Sequence, residues 1–208
     1  WGLMKDLSPA SAAAREIGFD DLFVPFRCVA SDVLAKSDTV FSSGDLATAA
    51  RASMTFPFFL EPVEVEGRLL FDGGLYNNFP SDVLMAAFSP DVIIGCNVSS
   101  GELVLTAQDP ASQIEAMITR PANLSALCEE MLVIHPVTGI GTFDFESVLQ
   151  ASQAGYDATM AQSDAILALI RGQFEQASEV QRRRSAYRKS LPEFAVGDVK
   201  VTGLNPGQ

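Results

Sequence analysis

The chain has 208 residues, 48% of them hydrophobic and 19% charged, with 26 acidic against 14 basic side chains and a formal net charge of −12. That is enough apolar material for the core of one medium domain, and too little charge for a disordered polyampholyte. The acidic balance argues against nucleic acid, which needs clustered Lys and Arg, and against a broad basic membrane-docking face.

In chain order, residues 8–17 predict an Ala-rich helix ending at Gly18. Leu22 to Ala30 reads as a buried strand, with Pro25 as a blemish that suggests an edge or bulge. Thr39 to Phe41 is a short extended piece. A helix is expected over Leu46–Met54, capped by Asp45, with Leu46, Ala49, Ala50 and Ser53 on one face. Val63–Val65 and Leu69–Phe71 read as a hairpin around Glu66-Gly67-Arg68. Helix Pro80–Phe88 and core strand Asp91–Val98 follow. A helix is expected near 110–119 and a strand over Met131–His135. Phe145 to Arg171 has helical periodicity interrupted by Gly155, and a last helix over 173–190 carries Arg182-Arg183-Arg184, read as a solvated basic face. Strands alternating with helices predict an α/β layer sandwich.

The cysteines, Cys28, Cys96 and Cys128, are odd in number and widely spaced, so neither a disulfide framework nor a metal site is expected. Cys28 and Cys96 sit in apolar runs and read as buried thiols. The single histidine, His135, stands at a strand end with no serine motif near it. No metal and no organic cofactor is expected. No apolar run approaches the roughly 18 residues that span a bilayer.

The informative segment is LFDGGLYNNFP, Leu70 to Pro80. A strand delivers Asp72 at its tip, and Gly73 and Gly74 permit positive φ and close backbone approach. A carboxylate held there suits function; capping a turn or the next helix is the equally weighted alternative. Asn77 and Asn78 are expected to support this loop through side-chain to backbone hydrogen bonds. Phe56, Phe58, Phe59 and Leu60 form an apolar cluster just upstream. It reads as ordinary core, as lining for an apolar chain, or as an interfacial lip for membrane contact. Asp32 reads as a turn residue or a support for the site.

The segment resembles the D-G-[GA] motif of patatin-like phospholipases, and its neighbours match too. SSGDLATAARASMTFPFFLEPVEVEGRLLFDGGLYNNFPSDV resembles that family's block, with a helix L-x-x-A-x-x-A-S-x-x-x-P, a hairpin, D-G-G and N-N-x-P in register. FVPFRCVASDV resembles its strand ending in A-[ST]-D. The resemblance implies a three-layer α/β/α sandwich, incomplete at the N-terminus, over residues 1–190. It implies a serine ester hydrolase acting on a lipid or ester, with a Ser–Asp dyad in which Asp72 is the base. A Ser-His-Asp triad would have to use His135.

The chain departs from the pattern in two respects: it contains no G-x-S-x-G and no glycine-rich oxyanion loop. The expectation is a missing N-terminal segment that carries the nucleophile serine, and a chain inactive by itself. A non-catalytic binding or scaffold domain is the alternative. Residues 191–208 change character, and V-x-V-x-G-L-N resembles the first strand of a POTRA-like module, found in some bacterial patatin-like proteins before an outer-membrane barrel. On that reading the parent protein is exported; a docked or disordered tail is the other reading.

Overall fold

The computed structural model describes residues 18–99, 130–137, 139–141, 144–171 and 175–191. The expected helices over 8–17 and near 110–119, Cys128, and the tail from 192 onward lie outside the described residues.

The first strand, β1, is Cys28–Asp32, shorter than predicted. Pro25 has no N–H to give to a ladder. The chain before it instead folds back on a 3-10 turn at Phe19–Asp21, with Phe26 N–H bonding to Phe19 O at 3.1 Å. Strand β2, Ser37–Phe41, returns antiparallel beside β1. Helix α1, Leu46–Ser53, starts where Asp45 accepts from Ala47 N–H (3.2 Å) and Thr48 Oγ1 (2.9 Å). Its buried residues are Leu46, Ala47, Ala49 and Ala52; the expected Ala50 and Ser53 are only partly covered. Small side chains let this helix lie close on the sheet, where Ala52 meets Ala30 and Leu70, and Leu46 and Ala49 meet Phe19.

Strands β3, Val63–Val65, and β4, Arg68–Asp72, form the hairpin. Its loop is two residues long, because Glu66 and Gly67 both take positive φ (51° and 77°), the backbone twist that a tight hairpin needs. Arg68 therefore joins the strand. The sheet order is β2-β1-β4-β3, antiparallel throughout. Interior position explains why Val29, Ala30, Ser31 and Asp32 of β1 are all buried.

Helix α2, Ser81–Phe88, leads to β5, Val92–Cys96, which pairs in parallel with β6, Glu130–Ile134. Helix α3, Val148–Met160, runs straight through Gly155, and the break falls at Ala161–Gln162 before α4, Ser163–Leu169. One glycine costs a helix only about 1 kcal/mol, too little to end it. In α5, Ala177–Ser190, Arg182 pairs with Glu179 (2.5 Å) and Arg183 with Glu175 (2.7 Å). The guanidinium groups of Arg183 and Arg184 also face the Phe23 ring, at 5.7 and 5.6 Å. The fold is mixed α/β, consistent with the α/β/α arrangement that the resemblance implies. Among the described residues, no helix is long and apolar enough to cross a membrane.

Candidate active site

Asp72 is the last residue of β4, opposite Ala30 of the buried strand β1. Its backbone N–H donates to Thr55 O at 2.8 Å, so the strand end is held from the α1 side as well. Its carboxylate Oδ1 accepts from Gly74 N–H at 2.8 Å. Burial pushes the Asp72 carboxyl above the usual carboxylate range, and the Gly74 bond offsets part of that rise. A half-buried carboxylate with a raised proton affinity is a stronger base than a solvated one.

The glycines serve close packing alone. Neither Gly73 nor Gly74 has a positive φ. A β-carbon on Gly73 would overlap the carbonyl of Val29, and one on Gly74 would crowd Asn78 Oδ1 (2.9 Å) and Asp72 Oδ1 (3.1 Å). The Gly73 carbonyl gathers donors from Ser31 Oγ (3.4 Å), Tyr76 N–H (3.1 Å) and Asn77 N–H (2.8 Å), closing a 3-10 turn at Gly73–Leu75. The Asn77 side chain bonds to carboxylates where backbone partners were expected. Its Nδ2 donates to Asp38 Oδ2 (3.2 Å) and Asp82 Oδ1 (3.0 Å), tying the loop to β2 and α2.

An apolar cavity of about 580 Å³ opens beside this turn. Pro57, Phe58, Phe59 and Leu60 form one wall, and Phe71 and Leu75, which flank the D-G-G turn, bring it next to Asp72 in the chain. Val33, at the β1–β2 turn, lines it from another part of the sequence. Phe56 does not line the cavity; its ring packs against Phe59 at 5.7 Å. Phe58 is 81% exposed and holds a left-handed φ of 69°, unusual for a bulky side chain. Phe71 and Leu75 adjoin the motif in sequence and were overlooked; nothing in the sequence pointed to Val33.

Asp32 takes the turn role, accepting from Leu34 N–H (3.0 Å) and Ala35 N–H (2.9 Å). His135 is exposed just past β6. Cys28 is half-buried, and its thiol is pushed up to about 12 by burial, whereas Cys96, expected inside, is exposed. Alternation explains the difference: in β5 the buried residue is Ile93, and Ile94 and Cys96 share the open face. Among the described residues, no group of His, Cys, Asp and Glu could hold a metal ion.

A strand-end Asp followed by two glycines in a tight turn, beside an apolar cavity, is the arrangement that the resemblance implies for a patatin-like domain. Residues 11–85 match the family model of patatin-like phospholipases. The chain is 33% identical over 103 residues to an NTE family protein of Mycobacterium tuberculosis, covering 50% of this chain and 27% of that protein. It is 36% identical over 85 residues to a patatin-like phospholipase domain-containing protein of Caenorhabditis elegans, covering 40% of this chain and 6% of that one. It is also 34% identical over 95 residues to patatin-like phospholipase domain-containing protein 7 of Mus musculus, covering 45% of this chain and 7% of that one. Over the matched stretch the chain carries patatin-like phospholipase domain sequence, and its relatives are patatin-like and NTE family proteins. It spans about a quarter (27%) of the length of the mycobacterial relatives.

Proposed function

We propose that this chain is the base-bearing part of a lipid acyl hydrolase of phospholipase A or esterase type. In this reading Asp72 is the base of a Ser–Asp dyad, and the nucleophile is a serine of a G-x-S-x-G elbow outside these 208 residues. The observation that carries the reading is a half-buried carboxylate fixed at a strand end with its proton affinity raised, in a segment whose Phe71 and Leu75 line an apolar cavity.

The chemistry follows from those positions. Asp72 accepts the serine Oγ–H proton as the oxygen bonds to the ester carbonyl carbon. The tetrahedral oxyanion is held by backbone N–H groups of a glycine-rich loop, also outside these residues. Collapse breaks the ester C–O bond, and the proton on Asp72 passes to the leaving alcohol oxygen. Water then attacks the acyl-serine, Asp72 takes its proton and returns it to the serine, and a carboxylic acid leaves. The cavity accepts the acyl chain, which contributes apolar burial without polar partners.

The second reading is a non-catalytic binding or scaffold domain of the same fold. The test is hydrolysis of p-nitrophenyl esters and phospholipid vesicles by the full-length protein and its Asp72→Asn variant. Turnover by the parent and loss of orders of magnitude in the variant support the dyad. Full activity in the variant, or a parent with no elbow serine and no turnover, rejects it.

A further inference from the structure

We infer that Arg51 is a positioning residue that fixes the wall of the apolar cavity relative to Asp72 and thereby sets which acyl chains the site accepts. The inference rests on the reading of Asp72 as base and of the cavity as the acyl site. Arg51 lies in the last turn of α1. Its Nη1 donates to Thr55 Oγ1, and its Nη2 donates to the carbonyl of Glu61 at 3.2 Å. One guanidinium thus grips both ends of the segment Thr55–Glu61.

Each end leads to one half of the site. Thr55 is fully buried, its hydroxyl donates to the Arg51 carbonyl (2.6 Å), and its own carbonyl receives the Asp72 N–H (2.8 Å). Thr55 is therefore a node between helix α1 and the base. Glu61 lies on the cavity wall, following Pro57, Phe58, Phe59 and Leu60. Between the two anchors the backbone closes on itself, with Phe59 N–H and Leu60 N–H both bonded to Phe56 O (3.3 and 3.1 Å). It also carries the left-handed Phe58.

Such a conformation costs energy and persists when its surroundings over-determine it. The forked, planar guanidinium suits that task, because one rigid group holds two acceptors at a set separation; an ammonium is a point charge without that geometry. Arg51 does not line the cavity, so its effect on substrate runs through the wall. The contact matters most for long acyl chains, which use the wall, and least for an acetyl group, which does not reach it.

The experiment compares p-nitrophenyl acetate and p-nitrophenyl dodecanoate as substrates of the full-length protein, as wild type, Arg51→Met, Arg51→Lys and Thr55→Val, with melting temperatures recorded for each. In Arg51→Met, the dodecanoate-to-acetate ratio of kcat/KM is expected to fall about tenfold, mostly through a raised KM for dodecanoate. Arg51→Lys, which keeps one donor to the segment, is expected to recover part of the ratio. Thr55→Val preserves side-chain shape while removing the hydroxyl, and should shift the ratio the same way, which covers the case in which Arg51→Met fails to fold. A ratio within twofold of wild type in the folded variants overturns the inference and leaves the Asp72 reading intact, as does a proportional loss on both esters. A wild type that hydrolyses neither ester, or hydrolyses both without regard to chain length, overturns the underlying reading of the site and this inference with it.

Discussion

Gly73 lies against Val29 so closely that a β-carbon on the glycine would overlap the valine carbonyl. The obstacle is backbone of the buried strand β1 and cannot swing aside as a long side chain would. Gly73→Ala is therefore expected to cost about 3 kcal/mol, the upper end for overpacking. Gly67→Ala is the informative contrast: its β-carbon meets open space, and only the φ of 77° resists it. It should cost about 1 kcal/mol. Urea unfolding of the two variants measures the difference, and equal costs would refute the packing argument.

Asp72 should report its surroundings through stability as well as activity. Its folded-state proton affinity is raised by burial. The folded state then holds this proton more tightly than the unfolded chain does. The stability linked to Asp72 is fully present below the ordinary carboxylate pKa of about 3.9 and is lost as pH rises through the raised value. Asparagine keeps an acceptor for Gly74 N–H and cannot titrate. The melting temperature of Asp72→Asn relative to wild type should thus rise on moving from acid pH to neutral. A gap that stays constant with pH would show that the carboxyl is not shifted in the folded protein.

The same shift bears on catalysis. On the proposed dyad, the acid limb of kcat/KM of the full-length protein is expected above the ordinary aspartate range, because Asp72 would have to be ionised to accept the serine proton. A limb at or below that range would contradict the raised affinity.

The thiols should separate cleanly. Cys28 is half-buried, with its thiol pushed up to about 12, and Cys96 is exposed. Alkylation requires thiolate and access. Brief iodoacetamide treatment at mildly alkaline pH should label Cys96 and spare Cys28, as read by peptide mass spectrometry. Labelling of Cys28 at the rate of Cys96 would show that the β1 environment opens.

Phe58 combines 81% exposure with a left-handed backbone. Asparagine tolerates that conformation better than a bulky aromatic does. Phe58→Asn should leave the melting temperature unchanged or slightly raised, while weakening the use of long-chain esters by the full-length protein. A large stability loss would mean that the ring is packed in the native state.

Local chemistry was legible in the sequence. Asp45 caps its helix because a short carboxylate before an Ala-rich run has free N–H groups to satisfy. Asp72 ends its strand and caps the turn that follows, its short carboxylate accepting from Gly74 N–H two residues on. What failed was whatever depends on partners distant in the chain. The start of β1 moved from Leu22 to Cys28 because Phe26 N–H is taken by Phe19 O. Cys96 came out exposed because β5 leaves one face open, which an apolar run cannot reveal.

By itself, the sequence determined that a carboxylate stands at a strand tip before two glycines, since capping, turn chemistry and period-two alternation act over a few residues. Tertiary structure alone decided why those glycines are needed, which is backbone proximity to Val29 and room for Asn78. It also decided that Asn77 binds Asp38 and Asp82, that Val33 shares a cavity with Phe58, and that Arg51 spans Thr55 and Glu61. Such contacts depend on how strands pair and how a helix lies on them, and those arrangements are settled by burial of the whole core.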